Sequence, residues 1–147
     1  MTSAAGVAPG GRRDARERAI HLLYEAEAKS AHVSSVVAGQ ALPPDPYAVT
    51  LADGVDGRRD ELDGLIAARS VDWPLDRMPA LDLTVLRIAT YELLCEPEVP
   101  TEVVLAEATG LAGEYGTDDS ARFVNGVLAA IARDVRGHRS GGAGTRE

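Results

Sequence analysis

Apolar positions along this chain recur at spacings of three and four residues and do not alternate as strands do. Ala15, Ala19, Leu22, Leu23 and Ala26 trace one face and predict a first amphipathic helix over residues 12–29. Val36 and Val37 predict a short second helix, with Ser34 or Ser35 as its N-cap. The run Leu42-Pro43-Pro44-Asp45-Pro46 then breaks the chain, and Pro46 suits the first turn of a new helix. From there Tyr47, Leu51, Val55, Leu62, Leu65 and Ile66 draw one stripe to about Arg69. Gly54, Gly57 and Gly64 interrupt that stripe, each costing up to ~1 kcal/mol relative to alanine, and are read as sites of close helix contact or local bending. Residues 72–79 fit one short turn of helix between Pro74 and Pro79.

The most apolar stretch, from Leu81 to Leu94, predicts the central helix. It is hydrophobic on most of its circumference, which requires neighbours on several sides. The Glu96-Pro97 and Val99-Pro100 pairs end it, because a residue before proline avoids the α region. Beyond it, Val104, Ala108, Leu111, Ala112 and Tyr115 share one face of a helix opened by Pro100 or Thr101. Residues 116–120 combine a glycine stop with an N-cap, and Phe123, Val124, Val127, Leu128 and Ile131 face inward on a last helix from about Ser120 to Val135. The result is an all-α bundle of about six or seven helices. It is read as one helical domain over residues 12–136, with disorder expected in a leader (1–11) and a tail (137–147) that show no apolar face.

Charge narrows the function classes. The 147 residues carry a net charge of −8, distributed as +1 over residues 1–29, −11 over 30–132 and +2 over 133–147. An acidic body of this kind repels a polyanion at long range and argues against charge-driven, general nucleic-acid binding. Local basic contacts survive, since screening at physiological salt confines fields to about 8 Å. Cys95 is the only cysteine, which excludes a disulfide framework or a cysteine metal site and suits a small core residue. No apolar run is long enough to span a membrane, and the N-terminus has no hydrophobic signal core, so a cytoplasmic protein is expected. His21, His32 and His138 lack partners at metal-ligand spacing, and neither a phosphate loop nor a nucleophile motif is present. No enzyme activity, cofactor or metal is therefore expected.

Recognition is what remains. Arg12, Arg13, Arg16 and Arg18 crowd the start of the first helix, where acids would suit the helix dipole better. Arg87 is a permanent cation within an apolar helix, and Phe123 is the only phenylalanine. Basic side chains beside an aromatic face suit single-stranded RNA, which needs charge for phosphate and a platform for an unstacked base. Each residue also has a plainer reading: a solvated basic face, an Arg87 paired with a buried acid such as Glu92 or Asp82, and a Phe123 in the core.

The run from Arg12 to Ala19 followed by Leu22-Leu23-Tyr24-Glu25 resembles the start of the bacterial transcription antitermination factor NusB family. Residues 85–93, Val-Leu-Arg-Ile-Ala-Thr-Tyr-Glu-Leu, resemble that family's central helix. Val99-Pro100, Glu107-Ala108, Leu111-Ala112, Asp119-Ser120 and the block Phe-Val-Asn-Gly-Val-Leu at 123–128 follow in the family's order, so the resemblance spans roughly Arg12 to Val135. It implies an all-α fold of two packed helical subdomains without enzymatic activity. It further implies binding of boxA RNA, notably from ribosomal RNA operons, together with the ribosomal small-subunit protein that doubles as NusE, within an antitermination complex on RNA polymerase. By position, Arg12, Arg13 and Arg16 match the RNA-contacting start, with Arg18 beside them in the same basic cluster, and Arg87 and Phe123 match residues on the same RNA surface. Tyr24, Asp76 and Asp82 lie where the family faces NusE, and Asp119 belongs to the acidic turn beside Phe123. Some family members are homodimers that cover the RNA surface. NusB-like domains also precede RNA cytosine methyltransferase domains, and a helical scaffold that binds only protein is the competing class.

Overall fold

A computed structural model describes residues 9–137 of the chain, with side chains from Arg12 onward. Among them there are seven α-helices and no strand. Close contacts divide the chain into two compact units, the first ending at Arg58 and the second beginning at Arg59.

The first unit holds α1 (Pro9–Lys29), α2 (Val33–Ala38) and α3 (Pro46–Gly57). α1 begins three residues earlier than its apolar face suggests, on a proline whose fixed φ suits a first turn. The rest of the expected leader lies outside the described residues. The stripe Ala15, Ala19, Leu22, Leu23 and Ala26 is buried, and α1 packs chiefly on α3, where Ala48, Leu51, Ala52 and Val55 are buried in turn. Ser30 ends α1 in the left-handed conformation (φ 50°), with the Ala31 amide donating back to the Ala26 carbonyl at 2.9 Å. Neither Ser34 nor Ser35 caps α2. Its N-cap is His32, whose side chain makes no cap bond, and the Val33 amide donates instead to Asp56 on α3 at 3.2 Å. Asp45 caps α3 by accepting from the Tyr47 amide at 2.7 Å.

The single stripe expected from Tyr47 to Arg69 is two helices. α3 stops at Gly57, Arg58 leaves helical geometry, and α4 (Arg59–Arg69) starts afresh with Asp60 and Glu61 favourably in its first turn. A stripe that keeps its period across the break conceals it. Gly57 thus marks a helix end, and a Cβ at Gly57 or at Gly64 would meet nothing within 4 Å, so neither is a close contact.

The second unit continues through a 3-10 turn (Leu75–Arg77) to α5 (Ala80–Cys95), α6 (Thr101–Tyr115), α7 (Asp118–Ala132) and a closing π-helical turn (Arg133–Gly137). Apart from Gly137, the expected tail lies outside the described residues. α5 is the central helix: it packs against α4, α6 and α7, and Val85, Leu86, Ile88, Ala89 and Leu93 are buried. α6 and α7 form the most extensive helix pair, closed by a turn in which Gly116 leaves no room for a side chain. A Cβ there would stand 2.7 Å from the Ala112 carbonyl oxygen and 2.8 Å from the Ser120 Oγ. Within the 116–120 turn, Thr117 is the N-cap of α7 and accepts from the Ser120 amide at 3.0 Å. Tyr115, expected inward, is exposed. Arg136 is buried and donates to the carbonyls of Leu93, Val99, Glu92 and Glu96 at 2.7–3.1 Å, satisfying the C-terminal end of α5. No helix among the described residues is long and apolar enough to cross a membrane.

Candidate nucleic-acid interface

In the first unit the four arginines of α1 point to different environments. The Arg12 guanidinium carbon lies 4.3 Å from the centre of the Tyr47 ring, within cation–π range. Arg13 is half-buried. Arg16 is only 2% exposed, because position 16 falls on the stripe shared by Ala15, Ala19 and Ile20. It does not stand on a phosphate-facing surface as expected. Arg18 donates to Gln40 at 2.6 Å, and the Gln40 amide donates to the Val36 carbonyl at 3.0 Å and to Glu25 at 3.4 Å. The Lys29 ammonium, 2.6 Å from Glu25, holds that carboxyl below its ordinary pKa against a smaller opposing effect of burial. Tyr24 is exposed, as a partner contact needs.

In the second unit Arg87 meets neither of the acids foreseen for it. It makes a bidentate pair with Asp63 of α4, at 2.7 and 2.8 Å. Asp82 and Glu92 each sit five residues away on the same helix, about 140° around its axis, whereas Asp63 faces Arg87 from the neighbouring helix. Two of the five Arg87 N–H donors, and its charge, are thereby engaged inside the unit.

Phe123 is half-buried and part of a larger feature. Trp73 stands against it edge to face, with ring centroids 4.7 Å apart and planes at 65°. The two rings line an open groove with a volume of about 630 Å³, walled by Arg69 and Val71 on one side and by Arg122 and Gly126 on the other. Val71 is 84% exposed, an apolar side chain left without cover. Both arginines are held by carboxylates: Arg69 by Asp134, its Nε at 2.8 Å, and Arg122 by Asp119 one turn earlier on α7. The bond from Arg69 keeps the Asp134 carboxyl below its ordinary pKa. The groove therefore offers aromatic surface from two rings and a rim of carboxylate-paired arginines, a composition that suits an unstacked base with its phosphate nearby.

Asp119 is exposed in the acidic first turn of α7, and Asp76 is exposed on the 3-10 turn. Asp82 is not accessible: it is 1% exposed, and neither oxygen has a partner at hydrogen-bond distance. Burial pushes its carboxyl above the ordinary value, partly opposed by the nearby Ser120 side chain. A carboxylate so covered cannot face a protein partner in this conformation.

The family model of the NusB family matches residues 13–133. The chain belongs to the NusB family. Among curated relatives, the transcription antitermination protein NusB of Kineococcus radiotolerans is 43% identical over 125 residues, covering 82% of this chain and 92% of that protein. Its counterpart in Acidothermus cellulolyticus is 46% identical over 124 residues, covering 82% and 86%. Among solved structures, T. maritima NusB superposes with a TM-score of 0.76 at 32% identity, covering 88% of this chain and 96% of that one. A crystal structure of the antitermination factors NusB and NusE in complex with dsRNA gives 0.70 at 25% identity, covering 84% and 96%.

Within this family fold, sequence reasoning missed Trp73 and Tyr47 as candidate site residues and Asp63 as the partner of Arg87. Trp73 is the only tryptophan and stands beside Pro74, a placement read only as a turn. Tyr47 was absorbed into an apolar stripe. Asp63 carried no signal, since a helix-to-helix ion pair has no fixed sequence spacing.

Proposed function

We propose that this chain is a transcription antitermination factor that binds boxA-type single-stranded RNA of nascent transcripts, notably from ribosomal RNA operons. It would do so with the ribosomal protein that acts as NusE, inside an antitermination complex on RNA polymerase. The observation that carries the RNA reading is the Trp73–Phe123 groove with arginines on its rim, in a chain of a family whose curated relatives are antitermination proteins. RNA contacts are assigned to Arg12, Arg13 and Arg18 on α1 and to Phe123, now with Trp73, in the groove. Arg16 and Arg87 support these contacts from within their own units. Tyr24, Asp76 and Asp119 are exposed and are assigned to the protein partner. The activity is binding without catalysis, and it requires neither cofactor nor metal. The cytoplasm, where transcripts are made, is the proposed location.

The competing scaffold reading, in which only protein is bound, draws on one observation: Arg16 and Arg87, which the sequence places among the RNA contacts, are engaged inside the fold. Trp73 allows a direct decision, because the only tryptophan reports on the groove itself. Titration with boxA RNA should change its fluorescence, more strongly than a scrambled RNA does and at lower concentration when the NusE-type partner is present. The variant Phe123→Leu should weaken binding in a parallel anisotropy titration. Equal, weak responses to both RNAs with and without partner would favour the scaffold.

A further inference from the structure

We infer that Tyr47 is a positioning residue for RNA: its ring holds the Arg12 guanidinium flat so that the N–H edge stays free for phosphate. This inference rests on the RNA-binding reading above. The guanidinium carbon of Arg12 stands 4.3 Å from the ring centre, and both side chains are half-buried. The backbone that carries the ring is held at the start of α3, where the Tyr47 amide donates to the Asp45 side chain.

The chemistry of the contact matters more than its strength. A guanidinium is a planar fork with five N–H donors in its plane, and it pairs best with phosphate edge-on. A carboxylate partner uses those donors: Arg87 gives two of them to Asp63, and Arg69 and Arg122 give theirs to Asp134 and Asp119. An aromatic ring attracts the charge through its π face and brings no carboxylate oxygen to compete for those donors. It removes rotamer freedom from a long side chain before the ligand arrives, so less entropy is lost on binding. It also leaves the positive charge uncancelled, which a carboxylate would not. Tyr47 therefore makes Arg12 a preorganised and still charged phosphate ligand, in a chain whose overall charge opposes RNA.

The test uses the full chain, boxA RNA and the variants Tyr47→Phe, Tyr47→Leu, Arg12→Ala and the double variant Tyr47→Leu/Arg12→Ala. Tyr47→Phe keeps the ring face and should bind as the parent does. Tyr47→Leu should weaken binding by about threefold, as expected for a cation–π contact at a partly exposed site. Arg12→Ala should lower the log–log salt slope by about 0.7, the loss of one phosphate contact on single-stranded RNA. The double variant should be no weaker than Arg12→Ala alone, because the ring acts only through the arginine. Should Tyr47→Leu fail to fold, replacement of Tyr47 by a ring-fluorinated tyrosine keeps the shape while weakening the π face, and the same loss should follow. Additive losses, or full affinity in the leucine or fluorinated variant, overturn the positioning role while leaving RNA binding in place. If the parent chain binds neither boxA nor scrambled RNA, the inference and the reading beneath it fall together.

Discussion

Asp82 is a buried carboxylate that the fold relieves only in part, through the nearby Ser120 side chain. It occupies the first turn of α5, where the helix dipole favours negative charge, yet it is 1% exposed and both oxygens are unpaired. Burial raises its pKa above the ordinary 3.8. The native state therefore holds more protons than the unfolded chain in the window between 3.8 and the raised value, and stability rises as pH falls through that window. Above it the charged form carries its full desolvation cost. Asp82→Asn should raise the melting temperature at pH 7.5, with the advantage shrinking as pH falls through the window. A lower melting temperature for the variant at pH 7.5 would show that the carboxylate is satisfied in solution. Legibility at this scale was uneven. The apolar residues of the predicted faces are mostly buried, because helical period marks them. Asp82 and Arg16 misled because a charged residue gives no sign from sequence that its position falls on the inward side. Arg87, expected at the RNA with pairing to Glu92 or Asp82 as the plainer alternative, is paired with an acid of another helix, Asp63.

At the scale of elements, the helices of the bundle were legible from period, prolines and glycines, and their ends less so. The break at Arg58 went unseen because the stripe stays in phase across it, and α1 and α7 start two or three residues early. The closing π-turn carried no signal at all, although it positions Arg136. That side chain is 9% exposed and donates to four carbonyls around the end of α5, with a further bond to the Thr101 hydroxyl at 3.1 Å. It works as a cationic cap on the negative end of the central helix and fastens the α5–α6 connection to the end of the described chain. Hydrogen bonds to charged groups are worth about 1.5–3 kcal/mol each and do not add, while carbonyls left buried and unpaired add a penalty. Arg136→Ala should therefore cost about 3 kcal/mol in urea unfolding. Arg136→Lys should recover less than half of that, because an ammonium cannot reproduce a planar fork. A loss below about 1 kcal/mol would mean that water replaces the guanidinium and that the clasp is dispensable.

For the whole molecule, the question is how a chain of net charge −8 binds a polyanion. Sequence alone suggests roughly four phosphate contacts, hence a log–log salt slope near −3 on single-stranded RNA. The structure reduces that number. Arg16 is inside the first unit, and Arg87, Arg69 and Arg122 are each neutralised by a carboxylate. Replacing a carboxylate by a phosphate leaves the carboxylate to attract its own cation, so such an exchange releases no net counterion. The contacts assigned to α1 are Arg12, Arg13 and Arg18, and three contacts give a slope of about −2 for the chain alone. Binding by the isolated chain should then be weak and only moderately salt-dependent, with stacking in the Trp73–Phe123 groove supplying a part that salt does not screen. A basic partner changes both terms, covering acidic surface and adding phosphate contacts of its own. Affinity measured between 50 and 300 mM salt should give a slope of about −2 without the partner and a distinctly steeper one with it. A slope of −3 or beyond for the chain alone would mean that the carboxylate-held arginines are released on binding and their acids repaired elsewhere. A slope near zero would place the whole interaction in the aromatic groove and leave the basic start of α1 without a role in RNA binding.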